Sequence, residues 1–498
     1  MHQLNKELKT SDRGDRGARQ NSWPGDASFR WGLALITIAA LLIRVAAAFY
    51  WETKVPPGQQ FVWGDSSTYW EIAENLVGSG QYEFGEPVQR IFRAPGYCLF
   101  LAALMKSSLL LTSKPLTVMS ARLAGCVLGA LSVTLIGLWT AKLSEQKFPA
   151  LIAAFLAAVY PGAIAMSIFV LSESLFIPIM ILSLWTWSHA FNRNHLLAAC
   201  GWALLTGLLT GDAILVRPSW LLFAPLGTMV LLVFYKNRLR QIAIATCIGI
   251  GIALAMAPWW YRNYQISGQF IPTTLQVGAS LYDGWNAHAD GSSDMTHGYA
   301  EVKAWQHDER RLREKELYES PARRIRPQTS DSTGDRQATA QSDAMPIAAR
   351  GENSNNGPID HAMLLELQSN QRLRDQAIQW GTRHPGTLFQ LFFVKVGRTW
   401  RPWPAANEIG SLTLTIITVI GFLPIFGLAL RSLPFLLRQN ISWCICFLPA
   451  IYFTALHGIF VGSIRYRQPA VMLLTIFAAM TVLNLLNLKA KKSAHSKN

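Results

Sequence analysis

Charge is scarce in this chain. Only 15% of its 498 residues are Asp, Glu, Lys or Arg, while 51% are hydrophobic. A soluble domain carries about 25% charge, so a soluble globular enzyme or scaffold is excluded. Several apolar runs approach or exceed the roughly 20 residues that span a bilayer, and a polytopic membrane protein is expected. Acidic residues are the scarcer sign, 30 against 45 basic, which leaves a formal net charge of +15. That excess is not a nucleic-acid signature. Much of it lies at the termini and in short loops between apolar runs, where the positive-inside rule concentrates it. Cysteine is also sparse. Cys98, Cys126, Cys200, Cys247, Cys444 and Cys446 all lie in apolar segments, and the large polar loop has none. No Cys–His spacing suits zinc, so neither a disulfide framework nor a cysteine metal centre is indicated. A cleavable leader is not expected, because the first apolar run is too long and a polar, basic stretch precedes it.

The hydrophobic pattern divides the chain. Residues 1–30 carry Lys6, Lys9, Arg13, Arg16, Arg19 and Arg30 and read as a disordered basic cytoplasmic tail. An N-terminal transmembrane catalytic module is expected over 31–260, with an outer loop at 51–115. Its spans are Trp31–Tyr50, Leu116–Leu143, Phe148–Ala165, Ile168–Phe191, His195–Ala213, Ser219–Tyr235 and Ile242–Trp260. Arg44, near the outer end of the first span, reads as a side chain that snorkels to the interface. Tyr97–Leu111 is short for a span. Were it to cross, Lys142 and Lys147 would fall outside, so it is expected to lie in the interface or re-enter. Residues 261–410 form an outer segment with a low-complexity, disordered insertion at about 308–358. Within it, Leu388–Trp400 is broken by Lys395 and Arg398 and is placed in the interface. Three spans follow over 411–488, Ser411–Leu430, Ile441–Val461 and Pro469–Leu488, and then a basic tail at 489–498. This all-α arrangement has about ten spans, interfacial helices in the first outer loop and both termini inside. The expected location is a bacterial inner membrane, with the active face periplasmic.

The polar residues that remain gather at one face. Asp65 and Arg93 come from the first outer loop, Glu173 from a span entrance, and Arg217 from an outer turn. Arg262 opens the long segment, while Arg465, Tyr466 and Arg467 form the last outer turn. Charge at bilayer depth is costly and tends to be functional. This set suits transfer from a lipid-linked phosphate. A carboxylate takes the proton of an attacking hydroxyl, and arginines hold the phosphate that leaves. Asp65 is the candidate base and Glu173 a second acid. Arg93, Arg262, Arg465 and Arg467 are candidate phosphate ligands, with Tyr69, Tyr97 and Tyr466 as substrate contacts. Two plainer roles compete. Flanking arginines also anchor spans to lipid phosphates, and Asp65 could cap a helix over Ser66–Val77.

At these residues the chain resembles the GT-C glycosyltransferases, in the family (glycosyltransferase family 39) of the protein O-mannosyltransferases and the bacterial lipid A aminoarabinose transferase. The likeness rests on Asp65-x-x-x-Tyr69 through Gly80-x-Tyr82 and on Arg93-x-Pro95-Gly96-Tyr97. Tyr160-Pro161, Ser172-Glu173, Arg217-Pro218 and Pro258-Trp259-x-x-Arg262-Asn263-Tyr264 follow. Ser280-Leu281-Tyr282, His384-Pro385 and Arg465-Tyr466-Arg467-x-Pro469 complete it. The resemblance implies a membrane enzyme that moves a sugar from a polyprenyl-phosphate donor to an acceptor hydroxyl on a protein, lipid or glycan, with inversion. It also implies an acidic catalytic residue in the first outer loop. Relatives often have two adjacent acids there, whereas this chain has Asp65-Ser66, and Glu173 is the candidate for the second. Some relatives bind a divalent metal, but no obvious ligand set is present here. Two other classes stay open: a lipid-linked sugar transporter or flippase, and a surface-polysaccharide polymerase or ligase.

Overall fold

The computed structural model describes residues 26–234, 237–319, 360–404, 411–438 and 440–495. Among these the chain is helical throughout, with one isolated β-bridge, Phe84 to Gln89. The N-terminal stretch 1–25 and most of the expected insertion lie outside the described residues. Nine described helices are long and apolar enough to cross a membrane, or ten when a bent pair is taken as one span.

The first helix, α1 (Ala27–Glu52), begins inside the region expected to be a tail. Asp26 caps it by accepting from the Ser28 amide at 2.9 Å, the usual role of an N-cap Asp. The next helices are α2 (Gly64–Gly78), α3 (Pro95–Thr112) and α4 (Val118–Ser144). Helix α3 passes a length and hydropathy test for a span, yet both its ends lie at one end of the bundle. At its start, Gly96 packs on Leu215 and Val216, next to Arg217, which lines the same cavity as Asp65. Just beyond it, α4 begins with Met119 in the same apolar cluster as Trp51 and with Arg122 paired to Glu52. A helix of 18 residues is about 27 Å long, and these contacts leave the segments on either side of α3 at the same end of the bundle. The lower end is marked by Lys147 paired to Asp26.

Two helices, α5 (Lys147–Val159) and α6 (Pro161–Ile168), form one pass bent by 56°. The bend falls at Tyr160-Pro161, because proline lacks the amide that would continue the ladder. The carbonyls this frees at Ala157 and Ala158 accept from Arg44, at 3.3 and 3.1 Å, and Arg44 also donates to the Ser167 hydroxyl. Arg44 is wholly buried. It does not snorkel to the interface, and caps a broken helix instead.

Helices α7 (Glu173–Phe191) and α8 (Leu196–Val216), a 3₁₀ turn at Pro218–Trp220, α9 (Phe223–Phe234) and α10 (Arg238–Ser267) complete the first module. Gly207 and Gly211 of α8 lie against Gly251 and Ala255 of α10. Small residues let two backbones approach in this way in membrane bundles. The contact fixes where the upper ends of both helices deliver their side chains.

The segment that follows holds α11 (Val277–Gly284), α12 (Thr296–Glu319), α13 (His361–Arg383) and α14 (Pro385–Trp400). Helix α12 covers 308–319, so that part of the expected insertion is helical. Low-complexity composition hid it, since the stretch has polar residues all round and little to bury. Helices α15 (Leu412–Leu436), α16 (Ile441–Ile459) and α17 (Gln468–His495) close the bundle.

Candidate active site

The upper end holds a cavity of about 330 Å³, within the usual range for small-ligand sites. Five charged side chains meet there. Asp65 lies in the first turn of α2, where the helix dipole favours its charge. The N-cap position belongs to Trp63, which makes no side-chain cap bond, so Asp65 is not the cap and its carboxylate is free for other partners. Arg93 donates to Asp65 Oδ1 at 2.6 Å, and Arg465 donates to Oδ2 at 2.8 Å. Glu173 opens α7 and is fully buried. It pairs with Arg217 at 2.5 Å and with the Nε and Nη2 of Arg465. Arg465 therefore bridges both carboxylates.

Burial alone would raise the Asp65 carboxyl, but Arg93 and Arg465 together outweigh it and hold it well below the usual carboxylate range. Burial would likewise lower both arginines. Asp65 reverses that for Arg93, and Glu173 with Asp65 reverses it for Arg465, so both guanidiniums stay charged.

The turn that carries Arg465 is held on several sides. The Gly462 amide donates to Gly291 O at 2.9 Å. Gln468 accepts from the Tyr160 hydroxyl at 2.6 Å and donates to Ile464 O at 2.6 Å. Lys395, buried on α14, donates to Gly284 O at 2.9 Å and to Ile459 O at 2.8 Å. Glycine is needed at 462, since a Cβ there would collide with the Lys395 backbone. Such anchoring fixes a catalytic group before substrate arrives.

Of the residues singled out by sequence, Asp65, Arg93, Arg465, Tyr69 and Tyr466 line the cavity, and Glu173 backs it through its two arginines. Tyr97 is buried behind Tyr69, edge-on at 5.2 Å. Two candidate phosphate ligands lie elsewhere. Arg262 donates to Arg90 O and Tyr82 O, both at 3.2 Å, and covers the rings of Tyr82 and Trp259. It pins the first outer loop to the end of α10. Arg467 is fully buried, donates to Thr399 O and Arg401 O, and lies 3.7 Å from the Phe422 ring centroid. It seals the end of α14. Arg217, expected from sequence only as a charge at an outer turn, also lines the cavity. Sequence reasoning passed over Thr273, Thr274, Gln276 and His457, all of which line the cavity. Gln276 accepts from Arg93 at 3.2 Å. Nothing in the local spacing marks these four. Only the fold brings them in.

The donor set does not fit a metal ion. The oxygens of Asp65 and Glu173 already accept from guanidinium groups. Among the described residues no group of three or more His, Cys, Asp or Glu could hold one.

An all-helical bundle with helices folded back between its first two passes, and a charged cavity at that end, defines the GT-C class of membrane glycosyltransferase folds. The sequence agrees. Residues 105–275 match the family described as dolichyl-phosphate-mannose-protein mannosyltransferase, which bears out the likeness read from the motifs. The match spans the Glu173, Arg217 and Arg262 motifs and leaves Asp65, Arg93 and Arg465 outside. No curated protein matches the chain. Among solved structures, an archaeal oligosaccharyltransferase, AglB from Archaeoglobus fulgidus, in complex with an inhibitory peptide and a dolichol-phosphate, is similar. It has a TM-score of 0.52 and 16% identity, over 95% of this chain and 52% of that one. The chain thus spans about half the length of that protein. ArnT from Cupriavidus metallidurans, bound to undecaprenyl phosphate, has a TM-score of 0.42 and 13% identity, over 91% of this chain and 78% of that one.

Proposed function

We propose that this chain is a membrane glycosyltransferase that moves a sugar from a polyprenyl-phosphate donor to an acceptor hydroxyl of a protein, lipid or glycan, with inversion. The observation that carries this is the charge balance of the cavity. Three guanidiniums, those of Arg93, Arg217 and Arg465, face two carboxylates, Asp65 and Glu173. The surplus of one positive charge complements a phosphodiester monoanion. Leu221, Leu222 and Leu456 give the same cavity an apolar wall, as a lipid neck requires. In this reading the donor phosphate takes up guanidinium hydrogen bonds that Asp65 and Glu173 hold in the free protein. The grip on Asp65 loosens and its basicity rises. Asp65 then accepts the proton of the attacking hydroxyl. The acceptor oxygen bonds to the anomeric carbon from the face opposite the phosphate, and the carbon–oxygen bond to phosphate breaks. The electron pair stays on the phosphate, which leaves as polyprenyl phosphate. Charge grows on that phosphate as the bond breaks, so fixed arginines stabilise the transition state more than the ground state.

Lys142, Lys147, Arg193, Arg238 and Arg240 at the opposite end support a cytoplasmic lower face. The cavity then faces outward, toward the periplasm of a bacterial inner membrane. The test is incubation of the purified protein with a panel of radiolabelled polyprenyl-phosphate sugars. Transfer to an added acceptor mixture, or slow donor hydrolysis, is expected for at least one donor. Failure of the whole panel with folded protein would overturn the reading.

A further inference from the structure

His457 lines the cavity from α16, with 5% of its surface exposed. Its ring lies flat on Tyr466, with centroids 4.2 Å apart and planes 3° from parallel. Nδ1 lies 3.2 Å from Val461 O. A carbonyl oxygen only accepts, so this contact places the proton on Nδ1 and makes Nε2 a lone-pair acceptor. Nε2 is shut off from solvent and has no hydrogen-bond partner. Buried polar atoms are rarely left so, and an exception calls for a ligand or a function. Its neighbours in the cavity do not suit it. Tyr466 stacks on the ring face, while Arg217 and Arg465 are committed to carboxylates.

We propose that His457 Nε2 accepts a hydrogen bond from a substrate hydroxyl and so helps select the sugar or the acceptor. This rests on the glycosyltransferase reading, since it needs a hydroxylated substrate beside the arginines. No covalent step is involved. A site that holds an unpaired acceptor penalises any substrate lacking the matching hydroxyl.

Two substitutions separate this role from a structural one. His457→Asn places an amide nitrogen where Nδ1 is, so it keeps the bond to Val461 O and loses Nε2. His457→Gln places its amide oxygen near Nε2 and gives up the Val461 contact. A substrate role predicts a kcat/KM about 5- to 100-fold lower for Asn, with Gln recovering part of the loss. A packing role predicts the reverse order, matched by thermal stability. The assay uses full-length protein and the donor that the panel identifies. Loss in both transfer and acceptor-free hydrolysis assigns the hydroxyl to the donor sugar. Loss in transfer alone assigns it to the acceptor. An Asn variant as active as wild type, or more active than Gln, overturns the proposal. Wild-type protein inactive on every donor would instead count against the glycosyltransferase reading.

Discussion

Arg465→Lys is the most informative single change. The arginine makes three charge-assisted contacts to two carboxylates: Nη1 to Asp65 at 2.8 Å, Nη2 to Glu173 at 3.1 Å, and Nε to the other Glu173 oxygen. A lysine keeps the charge but offers one nitrogen on a flexible stem and cannot span both acids. Hydrogen bonds to charged groups contribute about 1.5–3 kcal/mol each. In the donor complex, where these bonds pass to the phosphate, a lysine makes one where the arginine makes three; two are lost and the retained charge offsets part, so the net cost is about 2–4 kcal/mol. At 1.36 kcal/mol per decade that is a roughly 30- to 1,000-fold loss in kcat/KM. The measurement is donor turnover by purified protein in detergent, with thermal stability recorded beside it. Arg467→Lys is the control. It lies two residues away, carries the same charge and grips the end of α14 instead, so it should lower stability more than turnover. A folded Arg465→Lys variant within about threefold of wild type, or an Arg467→Lys variant equally impaired in kcat, would refute the assignment of Arg465 to the reacting centre.

Asp65→Asn should lower turnover by about 10²–10⁴-fold, while donor affinity holds or tightens, because the amide no longer competes for Arg93 and Arg465. Equal turnover would remove Asp65 from the role of base. Arg262→Lys should leave kcat within a few fold but lower the melting temperature, since its contacts are carbonyls and ring faces of the first outer loop. Burial lowers the Lys395 ammonium, only partly opposed by Asp283, to about 8. The unfolded chain, near 10.4, binds more protons between those values. Stability should therefore rise from pH 8 to 10, and Lys395→Met should flatten that rise. Single cysteines at Lys147 and Arg238 should be labelled from the face opposite to one at Gln59, which precedes α3. Labelling of all three from one side would mean that α3 crosses the membrane.

The sequence made the spans and the crowded face legible because bilayer length and charge placement constrain them strongly. It could not sort Arg465 from Arg467. They lie two apart in a turn, where no helical or strand period fixes which side chain points inward, and the structure sends one to the cavity and the other to α14. The place of Arg262 is hidden for a related reason: its partners are backbone carbonyls, which every residue offers and no spacing reveals. Arg44 was read as an interfacial anchor because its acceptors appear only when Tyr160-Pro161 bends a distant helix. Asp65, Arg93, Glu173 and Arg217 were found at their turns because charges at bilayer depth are rare enough to stand out.

Lys395 has a consequence for how such a protein can diversify. Its ammonium ties Gly284 O to Ile459 O, and the Trp285 indole donates to the same Ile459 carbonyl at 2.8 Å. The acceptors in this knot are all main-chain oxygens, so neighbouring side chains on the outer segment are free to change without untying it. Side chains on that segment can drift while the Arg465 turn keeps its seat. The outer surface and the charged cavity can then evolve at separate rates within one chain.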